Sequence, residues 1–180
     1  VMKKQWWIPV LVIIFFCVES QFVNFIPTRL FSQYWIVVPR FLFLLLIFIT
    51  IYYDKKLGLI YALITGLVMD IVFIDILGIY LFWYPVTIYL VSKLMKNWHA
   101  NLFIVAFVSL LAITLVEFGI YGVFSILQIA NMPLKFFVFH RLFPTLGANL
   151  AFYILFSYSL KKYFTRLRKI RSEEEGMFQS

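Results

Sequence analysis

The sequence predicts an all-α protein, a polytopic transmembrane bundle of six helices with both termini in the cytoplasm. Three observations carry that expectation. Hydrophobic residues make up 64% of the 180-residue chain and charged residues only 13%, far from the roughly half apolar and quarter charged of a soluble domain. Aromatics reach 21%, with 22 Phe, more apolar surface than a core of this chain length can enclose. The apolar residues also fall into six runs, each near the ~20 residues that cross a bilayer as a helix.

The first run, 6–26, follows Lys3 and Lys4 as a signal peptide would. It reaches Glu19 and Gln21 without a small-x-small cleavage site, so a retained helix is expected. Pro27, Thr28 and Arg29 end it. The second run, 36–53, lies between Pro39-Arg40 and Asp54-Lys55-Lys56. The third and fourth, 57–75 and 77–95, meet in a very tight turn near Asp75 to Gly78, where a re-entrant hairpin is the competing arrangement. A polar stretch from Lys93 to Asn101 separates the fourth run from the fifth, 101–128, and Asn131-Met132-Pro133 precedes the sixth, 142–163. Residues 1–164 thus form the membrane domain, and 165–180 a basic, then acidic, cytoplasmic tail. Strands of a membrane barrel alternate polar and apolar residues, whereas these runs are apolar on every face.

Orientation follows from the basic residues, which resist translocation. With the N-terminus inside, twelve of the sixteen fall on the cytoplasmic side, and only Arg29, Arg40, Lys135 and Arg141 lie outside. The acids divide evenly, Glu19, Asp70, Asp75 and Glu117 taking outer-half positions. The formal charge of +8 is therefore cytoplasmic and suits attraction to anionic membrane lipid. A basic segment starting directly at a helix end is a topology signal, and no nucleic-acid partner is expected. Trp6, Trp7, Tyr34, Trp35, Tyr52, Tyr53, Trp98 and Tyr163 sit at predicted boundaries as interfacial belts.

Acids inside spans are costly and usually face a protein interior. On the third helix, Gly58, Ala62, Gly66 and Asp70 recur every four residues, a face narrow enough for close approach of another helix. On the fifth, Glu117 shares a face with Thr114 and Tyr121, both able to hydrogen-bond a carboxyl group. Arg40, His140 and Arg141 are cations of similar depth, so Asp70 and Glu117 are expected to pair with some of them. Three roles stay open for this outer polar cluster: a clamp fixing helix packing, a ligand or ion site open to the outer face, or partner contact.

Chemistry is not expected. The sequence holds no H-E-x-x-H, no G-x-S-x-G, no Gly-rich phosphate loop and no Cys/His cluster with metal-ligand spacing. Cys17 is alone, and His99 and His140 are expected on opposite sides of the membrane. Asp54 is expected at the inner end of its helix and Asp70 in the outer half, which argues against the two facing Asp residues of an intramembrane aspartyl protease. No cofactor is called for, and the chain is not expected to be an enzyme.

Gly66-Leu67-x-x-Asp70 followed by Leu77-Gly78-x-Tyr80 resembles the rod shape-determining protein MreD family, which carries G-L-x-x-D and L-G-x-Y stretches at its third-to-fourth helix junction. Val38-Pro39-Arg40-Phe41, Met132-Pro133-Leu134 and Arg141-Leu142-Phe143-Pro144-Thr145-Leu146 with Asn149-Leu150 are similar to members from Gram-positive rods, in the same order along the whole chain. The resemblance implies a non-enzymatic subunit of the bacterial cell elongation machinery in the cell membrane. It implies MreC, a bitopic protein, as direct partner, and a role in joining MreB filaments to peptidoglycan synthesis by polymerase and transpeptidase. Gly66, Asp70, Gly78 and Tyr80, with Arg141 and Pro144, are the family positions here, implied in packing and assembly. A different reading stays beside it: the substrate-binding subunit of an energy-coupling vitamin transporter, also a six-helix protein, whose outer acids would contact substrate.

Overall fold

A computed structural model describes residues 7–25, 35–74, 76–98, 100–129 and 132–177. The described residues form six helical rods without strands. They are α1 (Trp7–Phe25), α2 (Phe41–Phe48, running on as a π-helical turn over Ile49–Tyr53), α3 (Lys55–Phe73), α4 (Ile79–Leu94), α5 (Leu102–Ile126) and α6. The last is one rod made of Leu134–Phe137, a π turn at Val138–Leu142, and Phe143–Met177. Lys55–Phe73 and Leu102–Ile126 are long and apolar enough to cross a membrane, while Trp7–Phe22, Phe41–Tyr53 and Ile79–Leu94 are shorter apolar helices.

Helix α2 is the axis of the molecule. Its sequence, FLFLLLIF, is apolar all round, as a helix surrounded by protein must be. All eight residues are buried, and α2 packs against every other rod. Around it, α3 and α4 form the most extensive pair. Their contact is made by the small-residue face expected from the sequence. A methyl group on Gly66 would stand 2.6 Å from the Tyr80 carbonyl oxygen and 3.0 Å from Leu81 Cα, so two helix backbones touch there. At the other end of that face, a methyl on Gly58 would overlap Thr50 Oγ1 on the π turn after α2. Ala62, between them, is fully buried.

Two helix starts differ from the sequence expectation. The second apolar run was expected to be helical from residue 36, but α2 begins at Phe41. Residues 35–40 run extended along α6 instead. Alternate amides meet one helix face: Ile36 N–H donates to the His140 carbonyl at 2.8 Å, Val38 N–H to Thr145 Oγ1 at 3.1 Å, and Arg40 N–H to Asn149 Oδ1 at 2.8 Å. Asn149 Nδ2 returns a bond to the Val38 carbonyl at 3.1 Å. Partly buried backbone outside a helix needs partners of this kind. The last rod begins at Leu134 rather than 142, and it stays helical through Met177, so the tail expected from residue 165 continues the helix.

Pro144 ties these two departures together. Proline has no N–H with which to bond the carbonyl four residues back, so the His140 carbonyl is left for Ile36. The π turn at Val138–Leu142 ends two residues before it.

Of the expected aromatic belt, Trp7, Trp35 and Trp98 are exposed, whereas Tyr52 and Tyr53 are buried. Tyr52 donates to the Ala100 carbonyl and is internal packing rather than an interfacial anchor. Trp6, Tyr34, Asp75 and His99 lie outside the described residues, and with Asp75 the competing re-entrant arrangement of the α3–α4 junction.

Candidate functional site: a buried arginine–glutamate cluster

Glu117 projects from α5 and is wholly shielded from solvent. Its Oε1 accepts from Arg40 Nη2 at 2.6 Å and Nε at 2.8 Å, and its Oε2 accepts from Arg141 Nε at 3.1 Å. Arg40 stands at the start of α2, also buried, and donates in addition to two phenols: Tyr80 OH at 3.0 Å and Tyr84 OH at 3.3 Å. The guanidinium also lies over the Tyr80 ring, 4.9 Å from its centroid. Four rods, α2, α4, α5 and α6, are thereby tied at one point. Buried charges persist only when paired and hydrogen-bonded, and this pairing is complete on the carboxylate.

Asp70 does not join this pairing, contrary to the expectation of a cationic partner. Its carboxylate caps α4, accepting from the amides of Gly78 at 2.9 Å, Tyr80 at 2.8 Å and Leu81 at 3.0 Å. A helix start exposes unpaired N–H groups and a partial positive charge, so a buried acid can be neutralised there without any basic residue. Gly78 precedes α4 with φ of 113°, a left-handed conformation that suits glycine, and a Cβ there would meet nothing within 4 Å. Backbone conformation, not space, therefore selects glycine at this turn.

The same device recurs. Glu19, buried on α1, accepts from the Leu42 amide at 2.8 Å in the first turn of α2. Asp54 caps α3 through the Lys56 and Leu57 amides at 2.7 and 3.2 Å. It also accepts from Arg171 at 2.8 Å. Burial alone raises the Asp54 carboxyl, but the Leu57 and Lys56 amides together with Arg171 outweigh it and hold the group below the usual carboxylate range.

The residues singled out in the sequence therefore fall in two linked groups. Arg40, Glu117, Arg141 and Tyr80 form the ion cluster. Asp70, Gly66 and Gly78 form the α3–α4 junction, and Tyr80 belongs to both, through its hydroxyl and its amide respectively. Gly58 and Ala62 continue the small face away from the site, and Pro144 lies on α6, three residues after Arg141. Thr114 and Tyr121 do not reach Glu117: Thr114 donates to the Leu110 carbonyl and Tyr121 to the Met132 carbonyl. His140 also stays out of the ion cluster, stacked on Phe136 at 4.2 Å with Nδ1 buried and unbonded. Sequence reasoning missed Tyr84, whose signal was its place one turn after Tyr80, and the capping role of Glu19. It also missed that Thr145 and Asn149 bind the extended strap. Among the described residues, no three His, Cys, Asp or Glu side chains gather as a metal site.

A family model for the rod shape-determining protein MreD matches residues 4–167, which include the whole cluster. The chain belongs to the MreD family. It is similar to the rod shape-determining protein MreD of Bacillus subtilis (strain 168), 30% identical over 171 residues that cover 95% of this chain and 99% of that protein. No solved structure matches. The junction motif that first suggested MreD is the place where Asp70 caps α4 and Gly66 meets the Tyr80 backbone. Nothing in these comparisons supports the vitamin-transporter reading.

Proposed function

We propose that this chain is a non-enzymatic, multi-pass scaffold of the cell elongation complex, with six spans and both ends in the cytoplasm. It binds an MreC-like bitopic protein directly and helps couple MreB filaments to peptidoglycan synthesis, with polymerase and transpeptidase as further components. Family membership supports the cell-shape role. The observation that carries a structural rather than chemical site is that both oxygens of Glu117 and both of Asp70 already hold internal partners.

The topology has support in where the charges lie. Lys55, Lys56, Lys93, Lys96, Arg168 and Arg171 gather around one cavity at one end of the bundle. Arg40 and Arg141 share Glu117 at the other end, where Glu19 and Asp70 are buried as well. The basic end is the one expected to stay inside. Between the ends, exposed apolar helix surfaces offer packing sites for a partner's transmembrane helix.

The deciding experiment is gentle purification of the C-terminally tagged chain from its native membrane, followed by mass spectrometry. Recovery of a bitopic MreC-like protein with polymerase or transpeptidase components is the expected result. Recovery of transporter ATPases in their place would overturn the proposal.

A further inference from the structure

A cavity of about 1080 Å³ opens at the basic end, between the π turn after α2, the start of α3, the end of α4 and the distal part of α6. Six basic residues line it, and Asp54 is committed to the α3 cap and to Arg171. Lys55, Lys56, Lys93, Lys96 and Arg168 have no acidic partner among the described residues. A topology signal needs positive residues near helix ends, but it does not need five of them to converge on one concavity. The space exceeds what an inorganic anion fills.

Its shape on the membrane side decides what kind of anion fits. Phe82, Val86, Tyr89 and Lys93 follow one another on α4 at intervals of four, three and four residues and so form one stripe. Phe82 and Tyr89 are 57% and 58% exposed, and Tyr89 itself lines the cavity. An exposed apolar stripe thus leads directly into a basic chamber. A soluble anion has no use for the stripe, and an acyl chain does. We infer that the cavity is a headgroup site for an anionic phospholipid of the inner leaflet, with the phosphate held by Lys93, Lys96 and the lysines of α3, and an acyl chain lying along Phe82, Val86 and Tyr89. The leaflet assignment rests on the topology proposed above; the site itself does not.

The test uses the full chain, delipidated in detergent, with dioleoylphosphatidylglycerol as probe and native mass spectrometry as readout. About one tightly held lipid per chain is expected, with dioleoylphosphatidylcholine bound at least tenfold more weakly. Lys93→Gln with Lys96→Gln should weaken phosphatidylglycerol binding about tenfold or more. Lys93→Arg with Lys96→Arg should restore it. Lys162→Gln with Arg166→Gln, which removes two exposed charges from α6 outside the cavity, should leave it unchanged. Equal loss in both glutamine pairs would mean diffuse surface attraction and overturn the proposal. Equal competition by glycerol 3-phosphate would identify a soluble-anion site and do the same, as would equal binding of the two lipids. Because this binding is read in detergent, an inverted topology would change the leaflet without imitating any of these failures.

Discussion

Glu117 has two carboxylate oxygens, and a different arginine takes each. Removing that carboxylate strands Arg40, which is almost entirely buried. Breaking one side of a buried pair costs about 3–5 kcal/mol, so Glu117→Gln should unfold at markedly lower temperature in detergent and fail to restore rod shape in cells. Arg141, a quarter exposed at its side chain, can turn toward water, and Arg141→Gln should cost less. Replacing the inner pair by apolar residues, Arg40→Met with Glu117→Leu, should recover part of the loss seen in either single change, because the fully buried charges are then gone and the one cation left without its partner, Arg141, can turn toward water. If the double variant is instead the sum of the singles in thermal unfolding, the two groups do not act as a pair. Asp70→Asn presents an amide N–H₂ to helix amides that need acceptors, and should destabilise by about 1–3 kcal/mol. The sequence displayed all these residues but not their partners. Arg40, Arg141 and Glu117 could be matched by sign of charge, whereas the partner of Asp70 is a row of backbone amides, which no residue letter records.

At the scale of elements, the most informative feature is the extended strap at residues 35–40. Pro144 leaves the His140 carbonyl open to Ile36. Pro144→Ala supplies the missing N–H, which then competes for that carbonyl. The expected outcome is faster hydrogen exchange at Ile36 with little change at Leu44, whose amide bonds within α2. Gly66→Ala should be worse than most alanine substitutions, because the atoms it meets are backbone and cannot swing away. A loss of about 1–3 kcal/mol is expected for such overpacking, read as a lower unfolding midpoint. Six rods were legible from apolar run length alone, and so was the small face of α3. The two displaced helix starts were not, for opposite reasons. Ile36, Val37 and Val38 are apolar in a helix or in an extended chain, so hydropathy could not tell the two apart. His140 and Arg141 are polar and read as loop, yet one stacks on Phe136 and the other reaches Glu117 from a helical turn.

The whole molecule is polarised, with acids held by arginines and helix starts at one end and basic residues accumulated at the other. If the basic end faces the cytoplasm, a cysteine placed at Ser172 in a Cys17→Ser background should react with an impermeant maleimide only after the cells are opened. One at Gln128, exposed at the opposite end of α5, should react in intact cells. The distal part of α6 is latched to this end by Arg171 and Asp54. Because the Asp54 carboxyl is held below its ordinary value near 3.9, the latch is fully present above that pH. It should be lost as pH falls further, through the folded-state value. Spin-label distances between α3 and the end of α6 should stay constant from pH 7 to 5 and broaden only in stronger acid.

The capping acids also carry a consequence for how the chain is made. Each lies upstream of the helix it caps: Glu19 before α2, Asp54 before α3, Asp70 before α4. A ribosome delivering this chain therefore releases every cap ahead of its helix, and the first four rods can be completed as they emerge. Arg40 must wait for Glu117, and the strap must wait for Asn149. Synthesis of the final rod is thus the step that closes the bundle, and a chain interrupted before residue 134 can hold its caps and the Arg40–Glu117 pair but lacks Arg141 and the strap's partners, Thr145 and Asn149.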